Sequence, residues 1–142
     1  MNSVKKYPRL TNAKIEERLK AAGIRPTAQR IAISRYVLSK PIHPTIEEVK
    51  SWVDKNFPKM SLATVYNTLS AMVNGGMLKT LKFAHTDKVM FDNNTGPHYH
   101  FLDATTNEIY DIPSENLSID MSLPSEFDVE EVELLVIGRI KR

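Results

Sequence analysis

The apolar residues of this chain change their spacing once along its length, from a helical pattern to short extended runs. Leu62, Val65, Leu69 and Met72 recur at the three- and four-residue intervals of one helix face. After the Gly75–Gly76 pair, apolar residues gather in short runs rich in β-branched and aromatic side chains, which is typical of strands. The sequence therefore predicts an α+β fold with its helices in the N-terminal part.

Each helix predicted in the N-terminal part has a start signal, either a capping residue or a proline. Two extended runs, 77–83 and 89–91, follow the last helix. Helices followed by a two-stranded hairpin make a winged helix-turn-helix, whose last helix before the wing reads DNA. The start signals are Thr11 or Asn12, Pro26, Thr45 with Glu48, and Ser61.

The formal charge of +2 conceals a division between the two halves of the chain. Residues 1–83 contain ten Lys and five Arg against four Glu and one Asp, which gives +10. Residues 84–142 contain two Lys and two Arg against six Asp and six Glu, which gives −8. Such asymmetry indicates a nucleic-acid-binding part joined to a part with another role, although two solvated faces of one domain would give the same counts.

The outward face predicted for the fourth helix is small and polar, and it contains one aromatic residue. Asn67 has the donor and acceptor needed to read adenine, and Tyr66 offers contact to a thymine methyl group or a phosphate. Arg25 and Arg30 flank the start of the second helix and are candidate phosphate contacts. An ordinary solvated helix face is the alternative. The predicted outward residues are Ala63, Thr64, Tyr66, Asn67 and Ser70.

The acidic half reads as strands at 99–102, 108–112 and 129–137, with a turn at 105–107 and no long helix within 113–125. A small antiparallel sheet with one unpartnered apolar face indicates a dimerisation module. The segment 92–96 (DNNTG) has the composition of a hinge. We therefore predict a winged-helix DNA-binding domain at 1–92 and a small α/β dimerisation and metal-sensing domain at 93–142.

Five side chains in this sequence are candidate metal ligands. His98 and His100 are two residues apart on a predicted strand, so their rings point to the same side. Asp92 precedes them, Asp111 lies on the next predicted strand, and His43 comes from a proline-bounded loop of the basic half. Imidazoles and carboxylates without thiolate suit Fe²⁺ or Mn²⁺ and also accept Zn²⁺. Exposed polar residues on a strand are the alternative explanation for the histidine pair.

The chain contains no Cys, which excludes disulfides and any Cys-ligated structural zinc. No apolar run approaches the length of a membrane span, and the first ten residues are too polar for a signal peptide. We therefore expect a cytoplasmic protein that has no membrane partner.

These motifs together resemble the ferric uptake regulator (Fur) family of bacterial metal-responsive repressors. The resemblance covers about residues 15–111 and returns weakly at 127–138. Residues 23–30 (GIRPTAQR) are similar to the entry into the family's second helix, and 61–69 (SLATVYNTL) to its recognition helix. Residues 43–45 (HPT), 91–92 (FD) and 98–100 (HYH) are similar to its metal-site segments.

The resemblance implies a regulatory metal site and a DNA-contacting surface. Family members with Asp at the position of Asp111 include the peroxide-sensing (PerR) branch. By that resemblance, His43 and His98 would be the residues of this chain that peroxide oxidises. The metal site would use His43, Asp92, His98, His100 and Asp111. The DNA contacts would come from Arg25, Thr27, Arg30, Ser61, Ala63, Thr64, Tyr66 and Asn67.

Three departures from the family pattern bear on the branch and on the dimer. Where many members carry the first of two Cys-x-x-Cys pairs, this chain has Asp103 and Thr106. The absence of Cys and the basic ending at 139–142 are similar to the iron-response (Irr) branch, which shares the His-x-His region. The usual helix before the last strand is replaced by a stretch containing Ser and Pro, so the dimer geometry is left open.

The expected function is that of a homodimeric, metal-dependent repressor that binds an A/T-rich palindromic duplex and is not an enzyme. The alternatives are an Irr-like or Fur-like regulator that responds to iron or haem without sensing peroxide, and a non-haem iron enzyme built on the same His/Asp cluster. Haem binding with DNA affinity indifferent to Mn²⁺ or Fe²⁺ would indicate a regulator whose effector is haem. Catalytic turnover without DNA binding would indicate the second.

Overall fold

The computed structural model describes residues 10–39, 43–83 and 86–142. The fourth histidine, His85, has a spacing that matches none of the predicted ligands, and it lies outside the described residues. So does most of the N-terminal segment that is too polar for a signal peptide. The chain forms two compact units, which divide between Thr95 and Gly96. None of the helices in the described residues has the length and apolar character that crossing a membrane requires.

The N-terminal unit begins with four helices, each preceded by a hydroxyl side chain that caps it. Each capping oxygen accepts the backbone N–H of the residue three positions on, which satisfies one unpaired donor of the first turn. The capping residues are Thr11, Thr27, Thr45 and Ser61. The helices are α1 (Asn12–Ala21), α2 (Ala28–Leu38), α3 (Ile46–Asn56) and α4 (Leu62–Asn74).

The helices bury a shared apolar core that includes Ile15, Ile33, Val53 and Leu69. The stripe predicted for α4 is wrong at its first position, because the Leu62 side chain is 54% exposed. Thr68 is buried instead, and its hydroxyl donates to the carbonyl of Thr64 at 2.7 Å. Burial of Thr68 within the helix is tolerated because this bond satisfies its hydroxyl.

The wing is a hairpin of β1 (Lys79–Leu81) and β2 (Met90–Asp92), paired antiparallel. It is shorter than predicted, because Met77 and Leu78 are buried in the helical core and do not join the strand. The N–H of Phe91 donates to the carbonyl of Pro44 at 2.9 Å. This bond holds β2 against the segment that leads into α3.

The C-terminal unit is a three-stranded sheet of β3 (His98–Asp103), β4 (Ile109–Pro113) and β5 (Leu135–Gly138). Central β3 pairs antiparallel with β4 and parallel with β5. The α+β class is therefore confirmed, and the sheet is mixed. Of the strand predicted at 129–137, only the end is paired. Among the described residues, a 3-10 turn (Ser114–Asn116) is the one helical segment of this unit, which agrees with the absence of a long helix.

The turn between β3 and β4 is built around the buried carboxylate of Asp103, which is 0% exposed. The N–H of Thr105 donates to its Oδ1 at 2.9 Å, and the guanidinium of Arg142 lies 3.6 Å from its Oδ2. The bond from Thr105, with further bonds from Thr106 and the charge of Arg142, outweighs burial and lowers the pKa of Asp103. Asp103 therefore remains ionised in the fold.

We expect Asp103→Asn to reduce stability at neutral pH and to have a smaller effect in acid. A carboxyl whose pKa is lower in the folded state than its ordinary 3.8 stabilises the fold fully above that value. The contribution is lost as the pH falls through the folded-state pKa. Melting temperatures of both proteins from about pH 7 to about pH 3 measure this, and the gap should narrow towards acid. A constant gap would contradict the role of the charge.

Candidate metal centre and nucleic-acid surface

In the N-terminal unit, the structure brings together two of the predicted ligands, His43 and Asp92. The His43 Nε2 lies 3.8 Å from the Asp92 Oδ2, and both side chains are less than a tenth exposed. Asp92 ends β2, and its Oδ1 accepts the N–H of Asn94 at 2.9 Å. Since Phe91 is bonded to Pro44, the residue after His43, strand β2 positions both groups.

In the C-terminal unit, the structure brings together the other three predicted ligands, His98, His100 and Asp111. The two Nε2 atoms are 3.0 Å apart, and each lies 3.5 Å from the Asp111 Oδ1. The rings share a side of β3 because they are two residues apart. Asp111 joins them because the antiparallel register places it opposite His100.

The protonation of His98 follows from its neighbour. Its Nδ1 lies 2.8 Å from the carbonyl oxygen of Gly96, which accepts hydrogen bonds but cannot donate them. The Nδ1 therefore donates to this carbonyl, which leaves the Nε2, on the side of His100 and Asp111, as the nitrogen available to a metal. A backbone carbonyl in this role orients many metal-binding histidines. Gly96 is a positioning residue that the spacing of the sequence did not reveal.

Each unit thus carries part of the predicted ligand set, two residues in the first and three in the second. All the donors are imidazole nitrogens or carboxylate oxygens, and they are largely withdrawn from solvent. This donor chemistry fits Fe²⁺ or Mn²⁺, accepts Zn²⁺, and does not favour soft cations that need thiolate. A cation held by His98 and His100 would require both Nε2 atoms to be free of protons, because metal ligands must be deprotonated.

Most of the DNA surface predicted on the N-terminal half of α4 is exposed. Tyr66 is 58% exposed, and Ala63 and Asn67 are also exposed. Thr64 is half-buried, and its N–H donates to the Ser61 hydroxyl at 3.2 Å. Ser61 therefore positions the start of α4 by capping it, while the exposed residues remain available for contacts.

The predicted contacts near α2 also lie at a capped helix start. Arg25 and Thr27 are exposed, while Arg30 is half-buried and its guanidinium donates to the carbonyl of Arg25 at 3.0 Å. This bond holds the Arg30 side chain against the loop before α2. The Arg30 guanidinium therefore lies beside the backbone of Arg25, next to the capped start of α2.

Sequence reasoning missed one exposed apolar residue on this surface, Leu62. Its helical spacing relative to Val65 and Leu69 suggested burial. It is the first residue of α4, however, and its side chain borders the same surface hollow as Tyr66. Its position directly after the Ser61 cap was the available signal, since a first-turn residue has fewer packing neighbours than a central one.

Comparison with known proteins identifies the family. The profile of the ferric uptake regulator family matches residues 21–135. The peroxide-responsive repressor PerR of Staphylococcus aureus (strain Mu50) is 35% identical over 126 residues, covering 87% of this chain and 84% of the relative.

Two solved structures show the same fold. A zinc-bound manganese uptake regulator superimposes with a TM-score of 0.68 at 22% identity, covering 89% of this chain and 98% of its own. The ferric uptake regulator of Pseudomonas aeruginosa with manganese gives 0.63 at 20% identity, with the same two coverages. The profile match and the S. aureus relative establish that this chain belongs to the ferric uptake regulator family.

Proposed function

We propose that the chain is a metal-dependent transcriptional repressor of the Fur family that senses peroxide. Members of this family are transcription regulators and not enzymes. The observation that carries the proposal is the convergence of two imidazole nitrogens and a carboxylate at His98, His100 and Asp111. Buried donors of this kind are suited to holding a divalent cation.

We propose that residues 1–92 bind DNA and that residues 93–142 mediate dimerisation and metal sensing. His43 and Asp92 belong to the first part, and the other three ligands belong to the second. When bound, Fe²⁺ or Mn²⁺ supplies a positive charge that all five donors share. Because the proposed ligands come from both parts, a cation bound by all of them would restrict the orientation of one part relative to the other. A ligand shifts such an equilibrium only through its different affinities for the two states.

The DNA partner follows from the winged helix-turn-helix and the basic charge of residues 1–83. We propose that a homodimer places two α4 helices on the half-sites of an A/T-rich palindromic duplex in the cytoplasm. Arg25, Thr27 and Arg30 contact phosphates, and α4 reads bases through Ala63, Thr64, Tyr66 and Asn67, with Ser61 at its start. Two-fold symmetry in the protein matches palindromic symmetry in the DNA. Phosphate contacts make such binding weaken steeply as salt rises.

Peroxide as the signal is supported by two observations. The S. aureus relative at 35% identity is a peroxide-responsive repressor. The ligand at position 111 is Asp, as in the peroxide-sensing members that the sequence resembles. An Irr-like or Fur-like response to iron or haem is the alternative. The absence of Cys and the basic ending are similar to the Irr branch, although the haem-binding Cys motif of some Irr proteins is missing.

Peroxide sensing predicts a covalent change that mass spectrometry can locate. After anaerobic loading with Fe²⁺ and exposure to hydrogen peroxide, we expect one oxygen atom to be added to His43 or His98. The family resemblance assigns the oxidation to these two residues, and an iron held by them would supply the electrons that convert hydrogen peroxide to an oxidant. The Mn²⁺-loaded protein is the control, and its histidines should remain unmodified. Intact histidines in the iron-loaded protein would instead support a metal-responsive regulator without peroxide sensing.

A further inference from the structure

Leu62 presents an apolar side chain to solvent at the start of the proposed recognition helix. It is 54% exposed, and Tyr66, one turn further on, is 58% exposed. Residues four positions apart on a helix are neighbours on its surface. Both side chains border one hollow of about 620 Å³ between α3 and α4. Leu62 and Tyr66 therefore form a continuous patch, which we call the Leu62–Tyr66 patch.

The α3 side of this hollow carries charges that cancel. Lys50 forms an ion pair with Asp54, and Glu47 balances Lys55. The hollow therefore exerts no net attraction on a phosphate group, and what the patch offers is apolar contact. The α3 residues that line the hollow are Ile46, Glu47, Lys50, Ser51, Asp54 and Lys55.

Duplex DNA is the partner whose chemistry fits this patch. Residues 1–83 carry a formal charge of +10, which attracts a polyanion to this part of the chain. The N-terminal residues of a recognition helix lie closest to the base edges in the major groove. The one apolar group that the bases present there is the thymine C5 methyl. An exposed leucine side chain in the first turn of α4 can therefore make an apolar contact with the methyl group of a thymine.

We propose that Leu62 is a specificity-determining residue that contacts a thymine methyl group. Tyr66 and Asn67 supply aromatic contact and hydrogen bonds, and Leu62 adds discrimination for thymine through burial of apolar surface. The inference rests on the proposed DNA-binding function. It adds a residue that sequence spacing had assigned to the core.

The test compares thymine with deoxyuracil, which differs only by lacking the methyl group. A duplex site is first selected from random sequences with the Mn²⁺-loaded protein. Affinity is then measured by fluorescence anisotropy for sites with deoxyuracil at single thymine positions. The unmodified protein should lose about fourfold at the contacted position, the value for one buried methyl group. Leu62→Ala should bind the thymine and deoxyuracil sites equally at that position.

Leu123→Ala is the matched control, because Leu123 is a leucine of the C-terminal unit with almost the same exposure, 52%. It should still lose about fourfold in affinity when deoxyuracil replaces thymine at the contacted position. If Leu62→Ala also lost about fourfold in affinity on this replacement, Leu62 could not be the residue that contacts the methyl group. An equal loss of affinity for every duplex would also overturn the assignment, since that would indicate a general role. Absence of duplex binding by the unmodified protein would instead refute the proposed function itself.

Discussion

Replacing His100 by Ala is expected to abolish the metal-dependent gain in DNA affinity. The His100 Nε2 lies 3.0 Å from that of His98 and 3.5 Å from the Asp111 carboxylate, so its removal breaks the three-residue cluster at its centre. Loss of groups that merely support metal ligands costs about 10- to 100-fold in metal affinity, and loss of a ligand should cost at least as much. Fluorescence anisotropy with labelled duplex and increasing Mn²⁺ measures the effect.

His85→Ala provides the control, since His85 is a histidine that matches none of the ligand spacings. It should respond to Mn²⁺ like the unmodified chain. Circular dichroism of His100→Ala should show intact secondary structure, because His100 contacts polar groups and is not part of the helical core. An undiminished Mn²⁺ response in a folded His100→Ala protein would refute the assignment of the ligands.

Asn67→Ala should weaken binding to the selected site while leaving non-specific binding almost unchanged. Asn67 is exposed on α4, and an Asn amide pairs with the donor and acceptor edge of adenine. Loss of one such pair costs about 1–3 kcal/mol, or roughly 5- to 150-fold in affinity. Affinities for the selected duplex and for a scrambled duplex of equal length, at one salt concentration, separate the two effects.

Asn74→Ala is the matched control for this experiment. Asn74 is the last residue of α4 and is exposed, and seven residues amount to almost two helical turns, so both asparagines share a helix face. Only the N-terminal part of a recognition helix reaches base edges, so Asn74→Ala should retain specific affinity. Equal losses on both duplexes for Asn67→Ala would argue against base reading.

The parts of the fold that depend on local chemistry were predictable from the sequence. Thr11, Thr45 and Ser61 are among the predicted start signals, and each caps its helix through an interaction that spans only three residues. For α2 the predicted signal was Pro26, and the cap is the residue after it, Thr27. The turn at 105–107 was also predictable; Asn107 has a positive φ of 61° there, which Asn tolerates better than most residues.

Features that depend on distant partners were not predictable. The parallel pairing of β5 with β3 joins Leu135 to His100 across a long separation in sequence. Met77 and Leu78 have the composition of a strand, yet tertiary packing places them in the helical core. Leu62 follows helical spacing, but its side chain in the first turn of α4 is 54% exposed. In each case tertiary context overrides a valid local preference.

The candidate metal site also combines features that local sequence predicts with features that depend on distant residues. The pairing of His98 with His100 follows from strand geometry, and Asp111 follows once β3 and β4 are recognised as a hairpin. The contact between His43 and Asp92 depends on the bond between β2 and the segment before α3, which no local pattern encodes. The Gly96 carbonyl that orients His98 was hidden as well, because a backbone acceptor has no sequence signature.

The central claim is that a divalent cation controls DNA binding by this chain. The most direct measurement is the affinity of the purified, metal-free protein for its selected duplex, titrated anaerobically with Mn²⁺ at constant ionic strength. We predict that affinity rises roughly 5- to 150-fold, the usual range for coupling between two sites, and that it saturates at one cation per chain. Equal affinity with and without Mn²⁺ or Fe²⁺ would contradict the account.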